Sequence, residues 1–176
     1  MKNNAVKFGI IAGLITATFT VIGAVLMANG SGNIGYDNAE ILGYTGILLA
    51  FSMIIVGMIK ERQLNDGLIT YKNAFIVGLK ISLIATILYV AAWMVMTSIY
   101  PNMVEGMFAM MEEKIKNSKL EPKEIQDQLD QMVMWKGYYA NPFFKALMTA
   151  IEIFPIGLGI SLIAAGFIRK SQPAEG

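Results

Sequence analysis

The sequence predicts an all-α polytopic membrane protein, with four transmembrane helices and an extracytoplasmic helical hairpin between the third and the fourth. Three observations lead there. Apolar residues make up 55% of the 176-residue chain and charged residues only 15%. The mean hydropathy is +0.54, and the apolar residues are gathered in long runs. Four runs reach the roughly 20 residues that a helix rising about 1.5 Å per residue needs to cross a bilayer core of about 30 Å. They cover 8–27, 41–59, 74–100 and 143–168. Since these runs take up about half of the chain and leave little room for a separate globular domain, it reads as a single membrane domain over 1–176.

The first run follows a short basic leader, "MKNNAVK", as a secretory signal does. It is too long for a signal core, and "VLMANGSG" after it lacks a small-x-small cleavage pattern, so it is expected to be kept as a helix. "NGSGNIGYDN" then reads as a Gly/Asn-rich turn, with Asp37 and Glu40 as a capping pair for the second helix. The alternative for Glu40 is a functional role at the outer membrane surface. Asn65-Asp66-Gly67 is a strong turn signal, so the second and third helices should form a tight antiparallel hairpin.

Between the third and fourth runs, Met103, Met107, Met110, Met111 and Ile115 recur at helical spacing, and so do Ile125, Leu129 and Met132. "NSKLEP" separates the two patterns, with Pro122 suited to a first helical position. A helical hairpin over about 103–137 is expected, its two apolar faces paired with each other. A methionine stripe suggests copper(I), but without any His or Cys it reads better as adaptable apolar filling. No metal and no cofactor is expected.

Lys2, Lys7, Lys60, Arg62, Lys72, Arg169 and Lys170 flank one set of helix ends, and the first connection has no basic residue. Both termini should therefore face the cytoplasm, in the cytoplasmic (inner) membrane of a bacterial cell, with the hairpin outside. Trp93, Tyr100, Trp135, Tyr138 and Tyr139 then gather at the outer interface, where they read as headgroup anchors rather than a ligand cage. Gly9 and Gly13 in the first span, and Gly157, Gly159 and Gly166 in the fourth, allow close helix approach. The contacts they make are either internal or between copies. Pro155 should kink the fourth helix and release the carbonyl of Ile151.

Two charges stand within the apolar runs. Counting from Lys72 and from Phe143 places Lys80 and Glu152 at depths only about 4–5 Å apart across a core of about 30 Å. An unpaired charge there costs at least about 2.5–3.5 kcal/mol. Lys80 is therefore expected to pair with Glu152 near the midplane, with snorkelling of Lys80 to the cytoplasmic interface as the alternative.

The run "AEILGYTGILLAFSMIIVGMIKERQLNDGLITYKNAFIVGLKISLIATILYVAAW", with "NPFFKALMTAIEIFPIGLGISLIAAGFIRK", resembles a family of four-span bacterial membrane proteins typical of Bacteroidetes, domain of unknown function 4199. The matching features are Glu40, Gly43 and Tyr44, the turn from Gly67 to Phe75, Tyr89 and Trp93, and Glu152 with Pro155 and Gly157. The resemblance implies four spans and an outer helical insertion. It brings no activity, substrate or cofactor.

Several function classes are excluded on composition. There is no His, Cys, nucleophile elbow, phosphate-cradling glycine loop or paired midplane carboxylates, so no enzyme is expected. A net charge of +1 without an aromatic-interleaved basic surface excludes nucleic acid. The remaining partners are the lipid bilayer, a second copy and another envelope protein. The leading expectation is a non-enzymatic envelope protein whose outer hairpin binds a partner or itself. The alternative is a small transporter or ion-handling protein using Glu152 beside the proline-broken helix. The candidate polar positions are Lys80, Glu152, Glu40, Tyr44 and Pro155.

Overall fold

The computed structural model describes residues 2–29 and 33–170. Six helices follow one another: α1 Lys2–Asn29, α2 Asn33–Leu64, α3 Tyr71–Ile99, α4 Pro101–Lys116, α5 Pro122–Tyr139 and α6 Pro142–Ile168. Four of them, α1, α2, α3 and α6, are long and apolar enough to cross a membrane. The protein is a multi-pass membrane protein by this criterion.

Local chemistry sets most of the boundaries. Asp66 and Gly67 take positive φ values of 53° and 79°, which reverse the chain after α2. Thr70 then caps α3, its hydroxyl accepting from the Asn73 amide at 3.3 Å. Pro101 ends α3 and opens α4. Pro122 opens α5, and Glu124 reaches back to accept from the Glu121 amide at 3.4 Å. Asn141 caps α6, accepting from the Phe143 amide at 2.9 Å.

The first connection departs from the expectation. α2 already begins at Asn33, so Asp37 and Glu40 stand inside the helix and not at its cap. Their side chains lie outside the described residues, as does the connection at 30–32. A helix propagates cheaply once nucleated, and Gly35 alone costs only about 1 kcal/mol against that.

The packing contacts give the direction of each helix. Gly9 faces Ile84 and Gly13 faces Leu88, which makes α1 and α3 parallel neighbours. Gly46 faces Phe19 and Gly57 faces Phe8, so α2 runs antiparallel to α1. Gly78 faces Ser161 and Gly157 faces Ser82, which sets α6 antiparallel to α3. α1 packs on α2 and α3, α6 packs mainly on α3, and α1 and α6 occupy opposite corners of the bundle. The glycine faces at Gly9, Gly13 and Gly157 thus serve internal packing. Gly159 and Gly166 do not, because nothing lies within 4 Å of where their Cβ would be.

One end of the bundle is tied by polar contacts. Ile69 and Lys170 exchange backbone hydrogen bonds at 3.0 and 2.9 Å. Arg62 donates to the carbonyl of Ile168 at 3.2 Å. The Asn4 amide donates to the buried carboxylate of Glu61 at 3.3 Å. Above this end, Phe51, Ile54, Met58, Val77, Ile81 and Ile153 are fully buried and close the bundle's centre.

The other end carries the α4–α5 hairpin, which was expected from the sequence. Its two helices pack on each other as expected, and α4 also meets the ends of α1 and α3. Met103 is buried against Ala24 and Met96, with Met27, Trp93 and Tyr100 around them. On α5, Val133, Met134, Trp135 and Tyr138 remain exposed.

Candidate functional site

At the hairpin end the bundle does not close. A chamber of about 530 Å³ lies between the four long helices and is roofed by α4. Small residues on α1 create the space: Thr16, Thr20, Gly23 and Ala24 form a stripe on its inner face. The hydroxyls of Thr16 and Thr20 donate to the carbonyls of Gly13 and Thr16, at 2.9 and 2.8 Å. They therefore line the wall without leaving an unmade donor in apolar surroundings. Gly43 on α2 extends the space, since no atom lies within 4 Å of its Cβ direction.

Aromatic residues supply most of the rest of the wall. Tyr44 comes from α2, Tyr89 and Trp93 from α3, Phe19 from α1, and Tyr139 from the end of α5. Met107, Met110, Met111 and Lys114 of α4 form the roof. The methionine stripe therefore has a place: its thioethers are the adaptable underside of a lid over a cavity.

Tyr139 ties the roof to the wall. Its hydroxyl accepts a short hydrogen bond from Trp93 Nε1. Phe108 of α4 meets its ring edge-on at 5.7 Å, and the Lys145 ammonium lies 5.4 Å from its centroid. Burial pushes the Tyr139 phenol above its ordinary range. The bond from Trp93 opposes that shift, and the nearby Glu152 charge adds to it.

Glu152, one turn before Pro155 on α6, is the only carboxylate on the wall among the described residues. It lines the chamber and makes no hydrogen bond or ion pair with another described residue. The expected pair with Lys80 is not formed. Because Gly157 stands opposite Ser82, Glu152 is level with position 87 of α3, about seven residues or roughly 10 Å beyond Lys80. The depth count failed because α3 and α6 overlap over a length greater than a 30 Å core, so the two edges used as origins are farther apart than the bilayer. Lys80→Met and Glu152→Gln should therefore change thermal stability additively in the double variant. Recovery of stability in the double variant would restore the pair.

Of the candidate positions, the structure brings Tyr44 and Glu152 to one chamber and leaves Lys80 away from it. Pro155 lies elsewhere, in an apolar groove between α3 and α6 that it lines with Ile151 and Thr86. α6 continues through it as one helix. The buried Thr86 hydroxyl there has no hydrogen-bond partner among the described residues. The aromatic residues read as anchors divide in two: Trp93 and Tyr139 belong to the chamber, while Trp135 and Tyr138 stay exposed beside Phe143 and Phe144. Thr16, Thr20 and Phe19 were not singled out. The available signal was the small-residue run Thr16, Thr20, Gly23 at helical spacing.

The model of the family described as "Protein of unknown function (DUF4199)" matches residues 7–170. The chain belongs to the DUF4199 family. No curated protein and no solved structure matches it. The match takes in α1 from position 7 and all of α2 to α6, the hairpin and the whole chamber wall of this DUF4199 bundle included.

Proposed function

We propose that this DUF4199 protein is a non-enzymatic protein of the bacterial inner membrane that binds a small molecule in its chamber, with both termini in the cytoplasm and the chamber reached from the outside. The observation that carries this reading is the chamber itself. Its volume falls within the range of ligand pockets, its wall is apolar and aromatic, and few polar groups converge on it. The basic residues that flank the opposite end support the orientation. The closed core beneath favours binding over conduction, since a fully packed layer separates the chamber from the other end. That weighs against ion handling through Glu152.

The chain has no cysteine, so single-cysteine labelling is clean. Gly43→Cys is expected to react with a small membrane-impermeant thiol reagent added outside intact cells. Ala12→Cys, buried in the closed core, should stay unreacted. Reaction of Gly43→Cys only after the membrane is opened would reverse the topology. No reaction of Gly43→Cys on either side would remove the accessible chamber.

Partner binding by the hairpin keeps one specific support, the exposed apolar face of α5 at Val133, Met134, Trp135 and Tyr138. Beside Phe143 and Phe144, however, that face fits the membrane surface as well as it fits another envelope protein.

A further inference from the structure

The ligand's chemistry can be narrowed from the wall, and the argument rests on the chamber being a binding site. Glu152 is a carboxylate within a helix apolar enough to cross a membrane, and Lys114 of the roof, the one cationic side chain lining the same chamber among the described residues, has a contact of its own. Leaving a charge in that position is costly, and such residues mark ligand or ion sites. The rings of Tyr44, Tyr89, Trp93 and Tyr139 line the same space, and electron-rich ring faces attract a cation most strongly where water is scarce.

Two classes of cation could answer a lone carboxylate. A metal ion needs several hard or nitrogen donors at once, and among the described residues no group of three His, Cys, Asp or Glu is present. An organic cation needs only one counter-charge, because it brings apolar surface of its own. Phe19, Ile47, Ala24 and the roof methionines match such a surface. We propose that the chamber takes an organic cation with an apolar body, a hydrophobic amine or quaternary ammonium, its charge set between Glu152 and the aromatic rings and its body under α4.

Two probes of equal shape and different charge isolate this claim: 3-hydroxyphenyltrimethylammonium and its neutral isostere 3-tert-butylphenol. The chain has two tryptophans, and only Trp93 lines the chamber, so Trp135→Phe leaves Trp93 as the sole reporter. In purified, nanodisc-embedded Trp135→Phe protein, both probes should change Trp93 emission saturably. The ammonium should bind about tenfold more tightly than the phenol. Adding Glu152→Gln should erase most of that preference without altering the affinity for the phenol, and Glu152→Asp should keep part of it. Tyr89→Leu should also reduce the preference.

Equal affinities for the two probes, or a preference that survives Glu152→Gln, would overturn the cation assignment and leave the chamber as a binding site for neutral molecules. Failure of both probes to reach Trp93 would overturn the chamber reading and this inference together. Unfolding of Glu152→Gln is separated from loss of binding by the phenol, which reports a formed chamber in that variant.

Discussion

Gly157→Val is expected to detach α6 from α3 and to lower the thermal midpoint by on the order of 10 °C, whereas Gly159→Val, two residues away on the same helix, should leave it nearly unchanged. At Gly157 an added Cβ would stand 2.7 Å from the Ser82 hydroxyl, 2.9 Å from Ser82 Cβ and 3.0 Å from Phe51 Cε1. Ser82 and Phe51 are themselves fully buried and have nowhere to retreat. The same contact repeats in reverse at Gly78 against Ser161, and between the two glycines the Ser82 and Ser161 hydroxyls hydrogen-bond at 3.2 Å. Small residues are what let two helices approach this closely where lipid gives no hydrophobic drive for association. Overpacking a core of this kind costs about 1–3 kcal/mol, and valine's two methyls place this substitution near about 3 kcal/mol. Nothing lies within 4 Å of the Gly159 position, so valine there adds only lipid-facing surface. Thermal unfolding in detergent, read by tryptophan emission and by elution as a single species, measures both variants. Equal loss from the two would mean that the α3–α6 register is wrong, and with it the placement of Glu152 on the chamber wall.

Tyr139→Ala should open the roof. The substitution removes the acceptor of the Trp93 indole N–H, the edge contact of Phe108 and the ring under Lys145. Truncating a half-buried aromatic residue and stranding a donor together cost about 2–3 kcal/mol. The loss falls where α5 meets the bundle, so the hairpin should become open to protease well before the four long helices unfold. Tyr139→Phe keeps the ring and should cost only about 1 kcal/mol. Limited proteolysis in nanodiscs, with the cuts mapped between Pro101 and Pro142, checks the order wild type, Tyr139→Phe, Tyr139→Ala. Identical cleavage of all three would show that Tyr139 does not hold the roof.

The same residue gives a pH signature. Its phenol is raised by burial, so the folded form favours the neutral hydroxyl. The contribution of this group is complete below the unfolded value of about 10 and is lost as pH rises through the higher folded value. The roof should therefore loosen on the alkaline side only. Tyr139→Phe should lack that component, and an alkaline transition that persists in it would belong to another group.

Most of what the chain encodes locally was legible. The four apolar runs predicted α1, α2, α3 and α6, Asn65-Asp66-Gly67 predicted the reversal between α2 and α3, and the repeated apolar spacing around "NSKLEP" predicted α4 and α5. These features depend on periodicity, turn chemistry and length, which act over a few neighbouring residues. The start of α2 was misplaced because a Gly/Asn-rich stretch reads as a turn unless the helix behind it extends through.

The site was different in kind. Thr16, Gly43, Tyr89, Tyr139 and Glu152 come from five helices, and no local spacing links them. Glu152 was noticed as a charge in an apolar run, but its neighbour was misjudged, because depth counted from the helix ends ignores the vertical register of α3 on α6. That register is decided by where Gly78 and Gly157 let two backbones meet Ser161 and Ser82. The chamber follows from the same long-range packing. Small residues on α1 and α2 leave volume that their neighbours do not fill, and α4 lies over the gap, packed on α5 and on the ends of α1 and α3. The sequence by itself determined the membrane class, the helices and their turns. Only the tertiary structure decided which faces meet, and therefore that the Glu152 carboxylate and a set of aromatic rings share one chamber.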